Sequence, residues 1–279
     1  MGLFTENPVL ERELRGRLRL RRKGARRAIP FVAWPIALVA LYFYARGLTA
    51  LGRGPVQDAR ELLPVIAYGI LALIVLLAPA LASTAITQER EQQTWDALAT
   101  TRLSAWEILF GKWVGRQIIP WLMIVLALPY LLACAFFGGM GLLILPAVLL
   151  FLVVTTAFYS AMGLLCSFQA RRTVGATATA LTITAALCVG TVIVNQVFQL
   201  LQARVGPPEN SPILWLNPFI ALSSLLAMLD WSGISAFSGP PHEDYGLIVG
   251  AYFLVTVAAI AAALYSMVSR YHRAVRERT

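Results

Sequence analysis

The sequence predicts an all-α polytopic membrane protein. Of its 279 residues, 58% are hydrophobic and only 13% are charged, and a soluble protein of this length has no core large enough to bury so much apolar surface. Several nearly uncharged windows of about 18 residues or more have the length that an α-helix needs to cross a bilayer.

Six apolar runs are predicted to span the membrane: residues 30–51, 62–86, 109–137, 142–167, 173–201 and 246–268. A further apolar stretch, residues 212–229, is divided by Asn217 and Pro218, an N-cap followed by proline at the first helical position. The helix that remains is too short to cross. We therefore predict a re-entrant or interfacial outer helix within the outer loop 202–245, with a seventh span as the alternative.

The positions of the basic residues predict the orientation. With six spans, 19 of the 23 Lys and Arg lie on one side of the membrane, including a basic tail at 269–279. The positive-inside rule places both termini in the cytoplasm. Frequent Arg and Ala suggest a GC-rich bacterial genome, so we expect a multi-pass protein of the bacterial inner membrane. Topology accounts for the net charge of +9, and we expect no nucleic-acid partner.

No pattern in the sequence predicts a catalytic residue, a metal site or a cofactor bound by this chain. Cys134, Cys166 and Cys188 lie inside spans without metal-ligand spacing, and His242 and His272 lie outside them. The spans contain almost no charge away from their ends, whereas ion-coupled carriers need charged groups at membrane depth. The chain also lacks a P-loop. Any driving energy is therefore expected from a separate ATPase, which would bind ATP and Mg.

The polar segment 87–110 between the second and third spans is the most informative part of the chain. Ser104 and Glu107 form a capping box, which predicts a helix that starts near Ala105 and runs into the third span. Thr94 is suited to cap a short helix from Trp95 to about Thr100. Such a helix at the membrane edge would serve as a lever for a soluble partner.

These residues carry a family resemblance. Glu89-Arg-Glu, Thr94, Leu98, Thr101, Leu103-Ser104, Glu107-Ile108 and Gly111-Lys112 resemble the cytoplasmic signature of type-2 ABC transporter permeases, and Asn7 to Arg15 resembles the N-terminal segment of bacterial members. Gln93 and Arg102 replace the Gly and Pro that the family often has. The resemblance implies that the short helix from Thr94 to Thr100 is the coupling helix, with Trp95 and Leu98 inserted into a cleft of the ATPase. The implied ATPase-contact residues are Glu89, Glu91, Thr94, Trp95, Leu98 and Thr101.

Residues 1–29 are predicted to form a basic amphipathic helix on the membrane surface. Leu10, Leu14 and Leu18 recur at four-residue steps along one face, while arginines cover the others. The resemblance implies that this is a connecting helix that braces the ATPase. A simple basic topology signal is the alternative.

The fifth span carries a polar stripe. Thr177, Thr184, Cys188, Thr191, Asn195, Gln199 and Gln202 follow steps of three and four residues, with Ala180 in the one gap. Polar side chains at this depth face protein or water rather than lipid. The stripe is therefore predicted to line a substrate path or to form a packed interface, including a dimer interface at Thr177, Thr184, Thr191, Asn195 and Gln199.

The resemblance implies a non-catalytic permease domain at 30–268, one subunit of an ATP-driven ABC transporter. We expect an exporter that moves substrate by alternating rearrangement. Its expected partners are a nucleotide-binding ATPase subunit, a second permease copy or a homologous permease, and membrane lipid. Two alternatives stay open: a membrane-embedded enzyme or scaffold that uses Glu89 and Glu91, and an ATP-independent channel or scramblase. No pattern selects among lipid, glycan, peptide and drug as substrate.

Overall fold

The computed structural model describes residues 55–93, 104–139, 143–202, 211–229 and 245–276. Within these ranges every regular element is helical and none is a strand. Three predicted elements lie outside the described residues: the first span at 30–51, the N-terminal helix with Leu10, Leu14 and Leu18, and the short helix from Trp95 to Thr100.

Eight α-helices make up the described chain. They are α1 (Pro55–Ser83), α2 (Thr87–Glu91), α3 (Ala105–Phe137), α4 (Ile144–Gln169), α5 (Thr173–Ala185), α6 (Thr191–Gln202), α7 (Pro218–Met228) and α8 (Tyr245–Arg276). A π-helical segment, Ala186–Gly190, joins α5 to α6, and a 3-10 segment, Pro212–Leu216, precedes α7.

Five helical stretches are long and apolar enough to cross a membrane: Glu61–Glu91, Ala105–Phe137, Ile144–Gln169, Thr173–Gln202 and Tyr245–Tyr271. They coincide with the second to sixth predicted spans. The predicted capping box is present at the start of α3, where the Ser104 hydroxyl accepts from the Glu107 N–H and the Glu107 carboxylate accepts from the Ser104 N–H.

Helices α1 and α4 form the centre of the bundle, and α3, α5, α7 and α8 all pack against α4. Gly163 on α4 permits the close approach of α1, because a Cβ at this position would lie 2.5 Å from the Pro79 carbonyl oxygen. Nearer the beginning of α4, the Phe151 ring stacks on Tyr252 of α8 at 5.2 Å. The Tyr252 hydroxyl also lies 3.1 Å from the Thr155 hydroxyl. The core is therefore continuous across three helices.

The two ends of the bundle differ. At one end, Leu264 and Met267 of α8 pack with Ala85 and Ile86, which follow α1. Leu109 of α3 and Leu164 of α4 complete this cluster. At the opposite end, the beginning of α8 packs against the 3-10 segment and α7. The end of α6 and the beginning of α8 therefore both lie at this second end.

Helix α7 is short and packs against α8, α4 and α1. Asn217 is its N-cap, as predicted: the Asn217 side-chain oxygen accepts from the Phe219 N–H at 2.9 Å, and Pro218 occupies the first helical position. Tyr68 of α1 stacks against Phe219. The turn at Asn217 contacts Cys188, which lies midway along Thr173–Gln202. The turn at Asn217 therefore lies level with the middle of Thr173–Gln202.

Candidate functional site

The polar segment begins with α2, which is separated from α1 by a short turn. One side-chain hydroxyl accepts the backbone N–H groups exposed at that turn. Ser167, near the end of α4, accepts hydrogen bonds from the Ile86 N–H at 2.9 Å and the Thr87 N–H at 3.1 Å. The first N–H groups of a helix have no partner within it. The buried Ser167 hydroxyl supplies that partner, and it thereby fixes the start of α2 to the end of α4.

The last residues of α2 bind the connection between α4 and α5. Glu91 accepts from the Thr173 N–H at 2.8 Å and from the Thr173 hydroxyl at 3.1 Å, so its carboxylate caps the N-terminus of α5. An anion there is stabilised by the helix dipole. Arg90 donates to the Ala170 carbonyl at 2.9 Å, and its guanidinium lies over the Phe168 ring at 5.7 Å.

A buried ion pair joins α2 to α3. The Lys112 ammonium lies 2.5 Å from the Glu89 carboxylate, and the lysine side chain is only 1% exposed. It also donates to the Ala85 carbonyl at 3.4 Å. One turn further along α3, Arg116 donates to the Thr84 hydroxyl at 2.8 Å and to the Leu81 carbonyl at 3.2 Å. These two cations attach the start of the third span to the end of the second.

We refer to these contacts together as the α2 clamp. Its members are Glu89, Arg90 and Glu91 of α2, Lys112 of α3, Ser167 and Ala170 at the end of α4, and Thr173 of α5. Each side chain of the Glu-Arg-Glu motif bonds a different helix or connection. The five-residue helix α2, which follows α1 in the chain, is thus joined to α3, α4 and α5 at one end of the bundle.

The structure describes only part of the predicted ATPase-contact set. Glu89 and Glu91 lie in the α2 clamp, where their carboxylates bind helices of the same chain. Thr94, Trp95, Leu98 and Thr101 lie outside the described residues. The sequence did not indicate the roles of Ser167 and Thr173, because a single hydroxyl at the end of an apolar run has no distinctive spacing.

The polar stripe faces the interior of the chain. Thr184, Thr191 and Asn195 are buried, while Thr177 and Gln199 are partly buried. The Thr177 and Thr184 hydroxyls donate to carbonyls one turn earlier on the same helix. Helix α5 packs against α1 and α4, whereas α6 packs against the 3-10 segment. The N-terminal and C-terminal halves of the stripe therefore meet different neighbours.

A second group of polar contacts, which we call the Asn217 clasp, holds the C-terminal half of the stripe. The Asn217 amide nitrogen donates to the Cys188 carbonyl at 2.7 Å and to the Thr191 hydroxyl at 2.9 Å. The Asn195 side-chain oxygen accepts from the Ser211 N–H at 2.9 Å. Asn217 was predicted only as an N-cap, so its donation to the fifth span is a contact that the sequence did not reveal.

The comparisons with known proteins agree with this architecture. A family model described as ABC-2 family transporter protein matches residues 8–274. The chain belongs to the ABC-2 transporter family. It is therefore a membrane permease of an ABC transporter, in a family whose members are generally non-catalytic transport subunits that partner with an ATP-binding subunit. Among curated proteins, none matches the chain. Within the described ranges, no group of three His, Cys, Asp or Glu residues could hold a metal ion.

Proposed function

We propose that the chain is the permease subunit of an ATP-driven exporter, and that the α2 clamp carries motion from a separate ATPase into the spans. Membership of the ABC-2 family supports the partnership with an ATP-binding subunit. The ATPase would bind ATP and Mg, while this chain would convert the movement of its polar segment into rearrangement of its helices.

The α2 clamp is the observation that carries this proposal. Residues 94–103 connect α2 to α3, and both flanks of this connection are held: Glu91 is bonded to α5, and the Ser104 capping box begins α3. A force applied between the flanks would therefore reach α1, α3, α4 and α5 together. Close-packed helices transmit such displacement because protein interiors have low compressibility.

The charges support a cytoplasmic position for the clamp end. Arg171 and Arg172 are exposed there, between α4 and α5, and Lys112 and Arg116 lie within the first third of α3 or close to it. Helix α8 brings the basic tail back to the same end. Basic residues gathered at one end of a helical bundle favour a cytoplasmic location for that end. We propose that both termini also lie in the cytoplasm and that the membrane is a bacterial inner membrane.

The fifth span supports assembly with a second permease. Only 17% of its most apolar window is buried, compared with 56% for Ile144–Gln169. We propose that the face of the fifth span that the rest of this chain leaves uncovered contacts lipid and a second permease copy. The large apolar side chains exposed on this face are Val174, Ile183, Val189, Ile193, Val194, Val197, Leu200 and Leu201.

The test removes the two side chains proposed to dock in the ATPase. Trp95 and Leu98 are three residues apart, so a short helix would present both to one surface. A Trp in a pocket at the centre of an interface contributes about 2 kcal/mol or more, equivalent to roughly a 30-fold change in affinity. Trp95→Ala with Leu98→Ala should reduce ATPase co-purification and abolish the effect of the permease on ATP hydrolysis, with normal membrane insertion.

Arg53→Ala is the matched control, because Arg53 belongs to the opposite side in the predicted topology and should alter neither readout. Full ATPase association and a normal effect on hydrolysis in the double variant would contradict the proposed coupling role of residues 94–103. Failure of any ATP-binding protein to associate with the unmodified chain would instead favour a channel or scramblase.

A further inference from the structure

The π-helical segment Ala186–Gly190 interrupts a stripe that sequence periodicity predicts to be straight. In an α-helix each residue turns by about 100°, since there are 3.6 residues per turn. A π turn, with i→i+5 hydrogen bonds, contains one additional residue. Each residue beyond it therefore faces the direction that the preceding residue would face in a continuous α-helix. We call these two arrangements the π register and the α register. Here the outer half of the fifth span is turned by about that angle relative to a continuous α-helix.

The Asn217 clasp is formed in this turned register. The Cys188 carbonyl lies inside the π segment and accepts from the Asn217 amide, which also donates to Thr191 just beyond it. The Thr191 hydroxyl donates in turn to the Leu187 carbonyl at 2.8 Å. The Cys188 thiol lies 3.6 Å from the Tyr159 hydroxyl of α4. The π segment is therefore held from both sides of the helix.

The sequence also supports the other register. In a continuous α-helix, Thr191, Asn195 and Gln199 would lie on the same line as Thr177 and Thr184. The polar side chains would then form one uninterrupted face toward α1 and α4, the helices against which α5 already packs. In both registers the stripe would face protein, so neither register exposes its polar side chains to lipid.

We propose that Ala186–Gly190 is a register switch, held in its π form by Asn217, and that it opens and closes the outer part of the transport path. Conversion of the π turn to an α turn would rotate α6 by about 100°. The Asn195 side chain would lose its hydrogen bond from the Ser211 N–H, and Val194 would face Ser211 instead. The use of this switch in transport rests on the proposed function, whereas the two registers themselves do not.

Cysteine pairs distinguish the registers. In a full-length chain carrying Cys134→Ala, Cys166→Ala and Cys188→Ser, the pair Asn195→Cys with Ser211→Cys reports the π register. The pair Val194→Cys with Ser211→Cys reports the α register, and Ile193→Cys with Ser211→Cys is the control, since residue 193 faces Ser211 in neither. Oxidation in membranes, followed by alkylation and intact-mass measurement, counts the thiols that remain free.

Asn217→Ser is the deciding variant. Serine is as good an N-cap as asparagine, so α7 should still form, but its shorter side chain does not reach Cys188. With Asn217 present, we expect the 195/211 pair to cross-link. With Asn217→Ser, we expect the cross-linking rate of the 194/211 pair to rise about tenfold, because two donated hydrogen bonds that hold the π register are lost. A 194/211 rate that stays at the level of the 193/211 control would overturn the switch.

Deletion of Val189 provides a second test that does not depend on Asn217. Removing one residue from the π segment allows a continuous α-helix that keeps the phase of the outer half unchanged. The 195/211 pair should then cross-link even with Asn217→Ser, and the 194/211 pair should remain at the control level. Cross-linking of the 194/211 pair in the deletion variant would contradict the register account.

The role in transport is tested by adding the partner ATPase and ATP to the same pairs. ATP should shift cross-linking from 195/211 toward 194/211. If the ATPase binds and hydrolyses ATP but the ratio of the two pairs does not change, the segment is not the gate. If no ATPase binds, the proposed function fails while the result with Asn217→Ser still decides the register switch.

Discussion

Gly163→Ala tests the contact that holds the centre of the bundle together. The new methyl group would lie 2.5 Å from the Pro79 carbonyl oxygen and 2.9 Å from the Pro79 Cα. Both are backbone atoms, so no side-chain rotation relieves the overlap, and α1 and α4 must separate by about 1 Å to restore ordinary contact distances of about 3.5 Å. Overpacking of this kind costs about 3 kcal/mol, offset by roughly 1 kcal/mol from the higher helix propensity of Ala.

The expected net effect is a loss of about 2 kcal/mol in the free energy of unfolding, measured by denaturant titration in mixed micelles. Gly175→Ala is the matched control, because nothing lies within 4 Å of its added Cβ. The control should leave stability unchanged or raise it by up to about 1 kcal/mol. Equal stability of the two variants would refute the close packing of α1 against α4.

Two further predictions concern the buried ion pair and the orientation. Glu89→Gln leaves the buried Lys112 charge without its anion and should cost about 3–5 kcal/mol, whereas Glu89→Gln combined with Lys112→Met should be close to neutral; a double variant as unstable as the single one would contradict this. A cysteine introduced at Gly54 should react with an impermeant thiol reagent added outside the cell, and one at Gln92 only from inside. External labelling of a cysteine at Ala274 would contradict cytoplasmic termini.

The sequence predicted those elements that depend on local chemistry. The apolar runs anticipated the five candidate spans of the described chain, because span length follows from bilayer thickness. The Ser104–Glu107 capping box and the Asn217 N-cap were also predictable, since each is a bond between residues close in sequence. Family membership followed from the polar segment and was confirmed over residues 8–274.

The contacts that form the candidate site were not predictable, because they join residues far apart in sequence. Nothing near Ser167 indicates that its hydroxyl caps α2, about eighty residues earlier in the chain. Likewise, periodicity alone placed the polar stripe on one straight α-helical face. The π segment was missed because its contact with Asn217 joins residues far apart in the sequence, which periodicity does not detect.

The most direct test of the account separates binding of the ATPase from transmission through the α2 clamp. Glu91→Ala with Ser167→Ala removes the cap of α5 and the acceptor at the start of α2, while residues 94–103 are unchanged. The measurement is the ratio of ATP hydrolysis by the partner ATPase with and without the permease, together with co-purification. We predict normal co-purification and a ratio that falls toward one. A ratio equal to that of the unmodified permease, with normal assembly, would contradict transmission through the clamp.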